Sequence, residues 1–210
     1  MKRLLIIAVC AALVFASQSF ADAAGSAFGA LSTAGTLGMG NGNFGLSVGL
    51  ADATSFAGSF SYGLSAHTDG RIKLGLYDPD GGDTEIAIGA DFKYQLISVG
   101  GVSNGPFDMA VGAFGEFFQA GAADVFLLGG QFLGSYPVKL QRGGTLTPYG
   151  RFNIRLESIS IDVIDQSDTE LEIGLNGGVE WTVTADIALF GEFQIDGNDG
   201  VFFGVEFGAL

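Results

Sequence analysis

Hydrophobic and polar residues alternate one by one through most of this chain, in stretches of about ten residues divided by Gly, Asn, Asp and Pro. The last two stretches show it best. Ile187, Leu189, Phe193 and Ile195 fall on one face of a strand, and Ala188, Glu192, Gln194 and Asp196 on the other, because successive strand side chains point to opposite sides. After Gly197-Asn198-Asp199-Gly200 the alternation resumes, with Val201, Phe203, Val205, Phe207 and Ala209 opposite Phe202, Gly204, Glu206, Gly208 and Leu210. An apolar face of this kind needs a cover. A second sheet supplies it in a soluble sandwich, and lipid supplies it in a barrel.

Read this way, the pattern predicts about ten strands, at 44–51, 55–65, 71–78, 84–96, 107–119, 125–136, 146–160, 169–182, 186–196 and 200–210. Merging two of them would give eight. The separators carry turn chemistry: Asp69-Gly70, Asp80-Gly81-Gly82, Asn104-Gly105-Pro106, Gly143-Gly144 and Asn198-Asp199-Gly200. Connections this short join antiparallel neighbours in an up-and-down meander. The expected fold is therefore all-β, an antiparallel transmembrane β-barrel with an even number of strands.

The start of the chain has a different character. Lys2 and Arg3 precede an apolar run from Leu4 to Phe15, and small residues follow at Ala16, Ser17, Ser19, Ala21 and Ala23. This reads as a secretory signal peptide over 1–21, with cleavage after Ala21 or, equally well by the small-x-small rule, after Ala23. The run is short of the ~20 residues that a membrane helix needs. Cys10 would leave with the leader, so a mature chain would hold no cysteine. Residues 22–43 are Gly/Ala-rich and expected as a lead-in segment or a plug-like stretch in the barrel mouth, and 44–210 form the barrel. Gly38-x-Gly40-x-Gly42 only weakly matches a phosphate loop, because a strand pattern follows where a helix would be required.

Composition agrees with a membrane exterior. Only 15% of residues are charged, against the quarter typical of soluble domains, and mean hydropathy is +0.40 although no long apolar run follows the leader. The net charge of −14, with no basic patch, excludes an ordinary nucleic-acid binder.

If the first strand runs outward, Tyr62, Tyr94, Tyr136 and Trp181 all lie near the periplasmic ends of even strands and on the lipid face, as an aromatic girdle requires. Asp52, Asp78, Asp80, Asp83, Asp124, Asp162, Asp165, Asp168 and Asp199 gather at the opposite, outer end. Arg71, Lys73, Glu85, Asp91, Lys93, Glu116, Arg151, Arg155, Glu157, Glu170, Glu172, Glu180, Glu192 and Glu206 fall on inward faces, where lipid does not oppose them. A filled lumen would use Arg151 and Arg155 to neutralise carboxylates such as Glu172, Glu180 and Glu192. A channel would use the same acids to prefer cations.

In these features the chain resembles the small outer-membrane β-barrels of Gram-negative bacteria, the OmpA-, OmpX- and OmpW-like group. The resemblance is one of pattern over the whole mature chain. Gly204, Phe207 and the last alternation resemble the strand read by the barrel-assembly machinery, although such strands usually end in Phe or Trp and this one ends Phe207-Gly208-Ala209-Leu210. The resemblance implies an outer-membrane location, a porin-like barrel, contact with membrane lipids and lipopolysaccharide, and no cofactor.

Two further constellations invite chemistry. The single histidine, His67, lies near Ser65 and beside Asp69-Gly70, but there is no second histidine to build a nucleophilic site, so no catalytic residue is assigned. Asp78-Pro79-Asp80-Gly81-Gly82-Asp83 partly echoes a calcium loop, making Asp78, Asp80 and Asp83 weak candidates for a divalent cation at an outer loop. The expected function is a non-enzymatic outer-membrane barrel with a structural role or a narrow solute pathway. Its rivals are a secreted soluble β-sandwich or jelly roll, and a barrel enzyme acting on lipid.

Overall fold

The computed structural model describes residues 24–79, 83–98, 106–121, 123–141, 143–161 and 166–208. The leader, Asp80, Asp162 and Asp165 lie outside them. Among the described residues eleven strands are formed: β1 Gly42–Ala51, β2 Ala53–Ser65, β3 Thr68–Pro79, β4 Glu85–Ile97, β5 Asp108–Ala120, β6 Ala123–Ser135, β7 Val138–Lys139, β8 Thr145–Ile161, β9 Gln166–Thr184, β10 Ile187–Ile195 and β11 Gly200–Gly208. β7 is a two-residue bridge that pairs only with β8, at Val138↔Leu146 and Lys139↔Thr145. The other ten make one ring.

Each strand pairs antiparallel with its neighbour in sequence, and the ring closes where β1 meets β11, from Asn43↔Gly208 to Ala51↔Gly200. On the far side of the ring β6 pairs directly with β8 from Ala123↔Ile161 to Ser135↔Tyr149. Closure leaves none of these ten strands with an unpaired edge, the one arrangement in which strands can sit in hydrocarbon. Asp69-Gly70 is not the turn its composition signals. β3 begins at Thr68, the chain reverses at Ala66-His67, and Asp69 is a buried, inward strand residue.

The alternation sorts cleanly into two surfaces. Along β3, Ile72, Leu74 and Leu76 are about half exposed or more, at 62%, 61% and 49%, while Lys73 and Gly75 between them and Tyr77 beyond are buried. The same exposed apolar belt continues through Ile86, Ile88, Leu128, Ile154, Leu171, Phe193 and Phe203. Water would penalise such a surface and lipid does not, so the inside-out arrangement is physically that of a membrane barrel. Tyr62, Tyr94, Tyr136 and Trp181 stand exposed near one end, the end at which β1 starts and β11 stops. Asp52, Asp78, Asp83, Asp124, Asp168 and Asp199 lie at the other, here called the far end.

Leu74 and Ile88 face each other in register near mid-strand on the exposed surface. Leu74→Arg or Ile88→Arg should destabilise the folded barrel in vesicles by ~2–4 kcal/mol, whereas Ile88→Val should be close to neutral. Urea unfolding monitored by tryptophan fluorescence measures both, and equal stability of Arg and Val variants would reverse the assigned faces.

Candidate functional site

A ring of ten strands is wider than one of eight, whose interior side chains alone can fill. Many inward positions here are glycine, which widens the lumen further. The space is taken by the chain itself. Residues 24–37 run the length of the lumen, from Asp196 and Asn198 at the far end to Asp69 at the other. Fully extended, these residues reach ~45 Å, enough to cross a bilayer core of about 30 Å. At the bottom a turn at Gly38–Asn41 hands the chain to β1. Gly38 and Gly40 adopt φ of 78° and 84°, and Gly40 N–H donates to the Gly63 carbonyl at 2.9 Å. The Gly38-x-Gly40-x-Gly42 series is thus a chain reversal.

The threaded segment forms no strand or helix, so its backbone groups cannot satisfy one another. Side chains of the barrel do so instead. Glu116 accepts from Ser26 Oγ and from Ala27 N–H at 3.0 Å. Glu192 takes Ala30 N–H and Leu31 N–H on its two oxygens, both at 2.7 Å. Asp69 accepts Leu37 N–H at 3.1 Å, and Ser135 Oγ accepts Ala34 N–H at 3.1 Å.

The carbonyls are matched by donors. Arg71 reaches Ala30 O at 2.6 Å and Leu31 O at 3.1 Å, Lys93 reaches Thr33 O at 2.9 Å, and Gln194 and Asn198 both donate to Ser26 O. Carboxylates and one hydroxyl thus serve the N–H groups, and cationic and amide side chains serve the C=O groups.

Packing gives the thread its register. Phe28 is buried, with its ring edge in the recess left by Gly75 and Gly89, where an added Cβ would lie 2.9 Å and 3.1 Å from ring carbons. Lys73 Nζ stands 5.1 Å from the centre of that ring while pairing with Glu116 at 2.8 Å. Gly29 takes φ of 64°, and a Cβ there would meet Glu192 Oε1 at 2.9 Å, so only glycine brings Ala30 and Leu31 onto that carboxylate.

The charges expected to form a network are present, but their pairings differ from expectation. Arg155, 1% exposed, pairs with Glu157 at 3.1 Å and with Asp196 at 3.7 Å. Arg71 and Lys73 share Asp91 at 2.9 Å and 3.3 Å. Arg151 stacks 4.4 Å from the Phe114 ring and reaches Asn176.

Among the described residues neither Glu172 nor Glu180 forms an ion pair. Glu172 is part-exposed, and Glu180 accepts from Thr182 Oγ1 at 2.8 Å. Glu192 is held by Tyr149 Oη at 2.7 Å and Asn176 Nδ2 at 2.8 Å besides the thread. The network therefore centres on Glu116, Glu157, Glu192 and Asp196. Strand parity places Glu172 and Glu180 on the inner face but leaves open which inward acids meet a cation.

The remaining candidates stay apart. Ser65 Oγ accepts from the backbone N–H of His67 at 3.1 Å, and no bond between that hydroxyl and the His67 ring occurs among the described residues. Asp78 and Asp83 are exposed at the far end, and no group of three or more His, Cys, Asp or Glu suited to a metal occurs among the described residues. A cavity of about 520 Å³ opens at the β1-start end, lined by Asn43, Asp69, Arg71, Lys93, Glu180 and Glu206 together with the lower thread.

No family model and no curated protein matches the chain. Solved structures similar in outline include the N-terminal β-barrel domain of Pseudomonas aeruginosa OprF, at 11% identity, TM-score 0.38 and coverage of 81% of this chain and 98% of that one. KdgM porin aligns at 8% identity and TM-score 0.41, covering 79% and 98%. A barrel from the de novo design of transmembrane β-barrels aligns at 11% and 0.38, covering 83% and 99%. The closed meander and apolar exterior of this chain are themselves those of a small outer-membrane-type β-barrel.

Glu192 accepts two consecutive backbone N–H groups of the thread. Glu192→Ala should strand the N–H groups of Ala30 and Leu31 and lower stability by about 3 kcal/mol or more. It should also open residues 24–37 to protease while the barrel strands stay protected. A thermal melt beside limited proteolysis measures both, and an unchanged melt would mean that the thread contributes little to the fold.

Proposed function

We propose that the protein is an outer-membrane β-barrel whose lumen its own N-terminal segment keeps closed, so that its resting role is structural. The observation that carries this reading is the continuous set of side-chain bonds to residues 24–37, from Asp196 to Asp69. An open aqueous path would have to break them. In this reading the exposed belt meets lipid and the Tyr62, Tyr94, Tyr136 and Trp181 end faces the periplasm. Connection lengths run against the usual asymmetry, since the longest, 98–107 and 136–144, lie at that same end. We give the aromatics more weight because ring placement reflects the lipid interface directly. The acidic far end then faces lipopolysaccharide, with Asp78 and Asp83 available to bridging divalent cations, and β11 presents the closing strand to the assembly machinery. In this reading Ser65 and His67 belong to the turn between β2 and β3, joined by a local backbone-to-hydroxyl bond.

A gated solute pathway is the second reading, and the cavity beside Arg71, Lys93 and Glu206 favours it, because withdrawal of the thread would extend that cavity through the barrel.

Planar-bilayer recording distinguishes the two. The intact protein should be silent, and a variant lacking residues 24–37 should conduct with cation preference, since inward carboxylates outnumber inward bases. Glu192→Ala offers a milder opening where the deletion does not assemble. Steady conductance by the intact protein would replace the structural reading with the pathway.

A further inference from the structure

At the far end of the lumen two buried carboxylates share one guanidinium. Glu157 is 3% exposed, Asp196 is fully buried, and Arg155 lies between them. Arg155 gives Nε and Nη2 to Glu157 Oε2 and spends a further bond on the Asp196 carbonyl. Arg151, the next cation, stacks on the Phe114 ring and reaches Asn176, and forms no ion pair with either acid. Asp196, in the turn beyond β10, has its pKa pushed up by burial despite Arg155 and Arg151. One positive charge is missing from this corner. The remaining oxygen of Glu157, Oε1, is occupied by the backbone nitrogen of Ala24.

We infer that the chain is processed between Ala23 and Ala24, and that the α-ammonium group thereby created on Ala24 is the missing cation, paired with Glu157 at the head of the thread. The step is hydrolysis by a signal peptidase. Water adds across the Ala23–Ala24 peptide bond, the leader departs with a carboxylate on Ala23, and Ala24 keeps the nitrogen as an ammonium group. An amide nitrogen at this position has one proton to give and no charge. The ammonium has three protons and neutralises Glu157, leaving Arg155 free for Asp196.

The sequence offers two small-x-small sites, and charge separates them. Cleavage after Ala21 would leave Asp22 at the new terminus, within ~7 Å along the chain of Ala24. That would bring a third carboxylate to a corner already short of cations. Cleavage after Ala23 removes Asp22 with the leader. Gly25 fits the same picture: at φ of 69° it turns the chain so closely past Asn198 that a Cβ would lie 2.2 Å from its backbone nitrogen, which holds the Ala24 nitrogen at a fixed place.

The test uses the full protein, expressed with its leader in a Gram-negative host and purified from outer membranes. Intact mass and N-terminal sequencing should give a chain starting Ala24-Gly25-Ser26; a start at Asp22 or a retained leader overturns the inference. Amine acylation of the folded protein near neutral pH then reads the pairing, with exposed Lys139 as the internal standard. An ammonium held by a buried carboxylate should react about tenfold more slowly than the same amine in the unfolded chain. Glu157→Gln keeps the shape, removes the charge and should return the amine to the unfolded rate. A folded-state amine as reactive as in the unfolded chain defeats the pairing, and the wild-type comparison decides the matter where Glu157→Gln does not fold.

Discussion

An irregular backbone cannot lie at membrane depth unless every N–H and C=O finds a partner there, and that constraint organises the interior of this protein. Residues 24–37 have no strand to pair with, so the barrel supplies carboxylates for their amides and guanidinium, ammonium and amide groups for their carbonyls. The charges that would otherwise mark an ion path are spent on binding a peptide. The same bonds explain why so many ionised groups tolerate burial, since charge-assisted hydrogen bonds offset part of their desolvation.

The exterior obeys the opposite rule. There the strands satisfy their own backbone through ten pairings in a closed ring, and the side chains need only be apolar. Ring size links the two surfaces. Ten strands with glycine on many inward positions enclose more room than side chains can fill, and the thread with Phe28 in the Gly75–Gly89 recess fills it.

Most of the fold was legible because a period of two is visible in single residues. The ten strand positions agree with the alternation to within about three residues for nearly every boundary. Asp69-Gly70 misled because turn chemistry is a local signal, whereas Asp69 answers to Leu37 and Lys93, which are distant in sequence. The lead-in was recognisable as plug-like from composition, but its full passage through the lumen was not. No periodicity marks a segment whose partners lie up to 172 residues away, as in the Asn198–Ser26 bond. The available cue was Phe28, a lone aromatic among Gly, Ala and Ser, together with inward glycines on neighbouring strands. Ion pairing was the least readable layer. Parity assigns Glu157 and Glu172 to the same face without saying which one a cation will reach.

An even-stranded meander returns the chain to the side from which it started, and by strand count alone residues 42 and 208 do lie on one side. The thread changes that parity. By passing through the lumen before β1 begins, residues 24–37 make an eleventh traverse, so Ala24 and Gly208 stand on opposite faces of the barrel. The molecule is thus a ring closed around the segment that precedes its first strand. Because the Gly38–Asn41 turn stands at the rim where β1 starts, the thread can enter or leave by the open mouth of a finished ring, so closing the β1–β11 seam and filling the lumen are separable events.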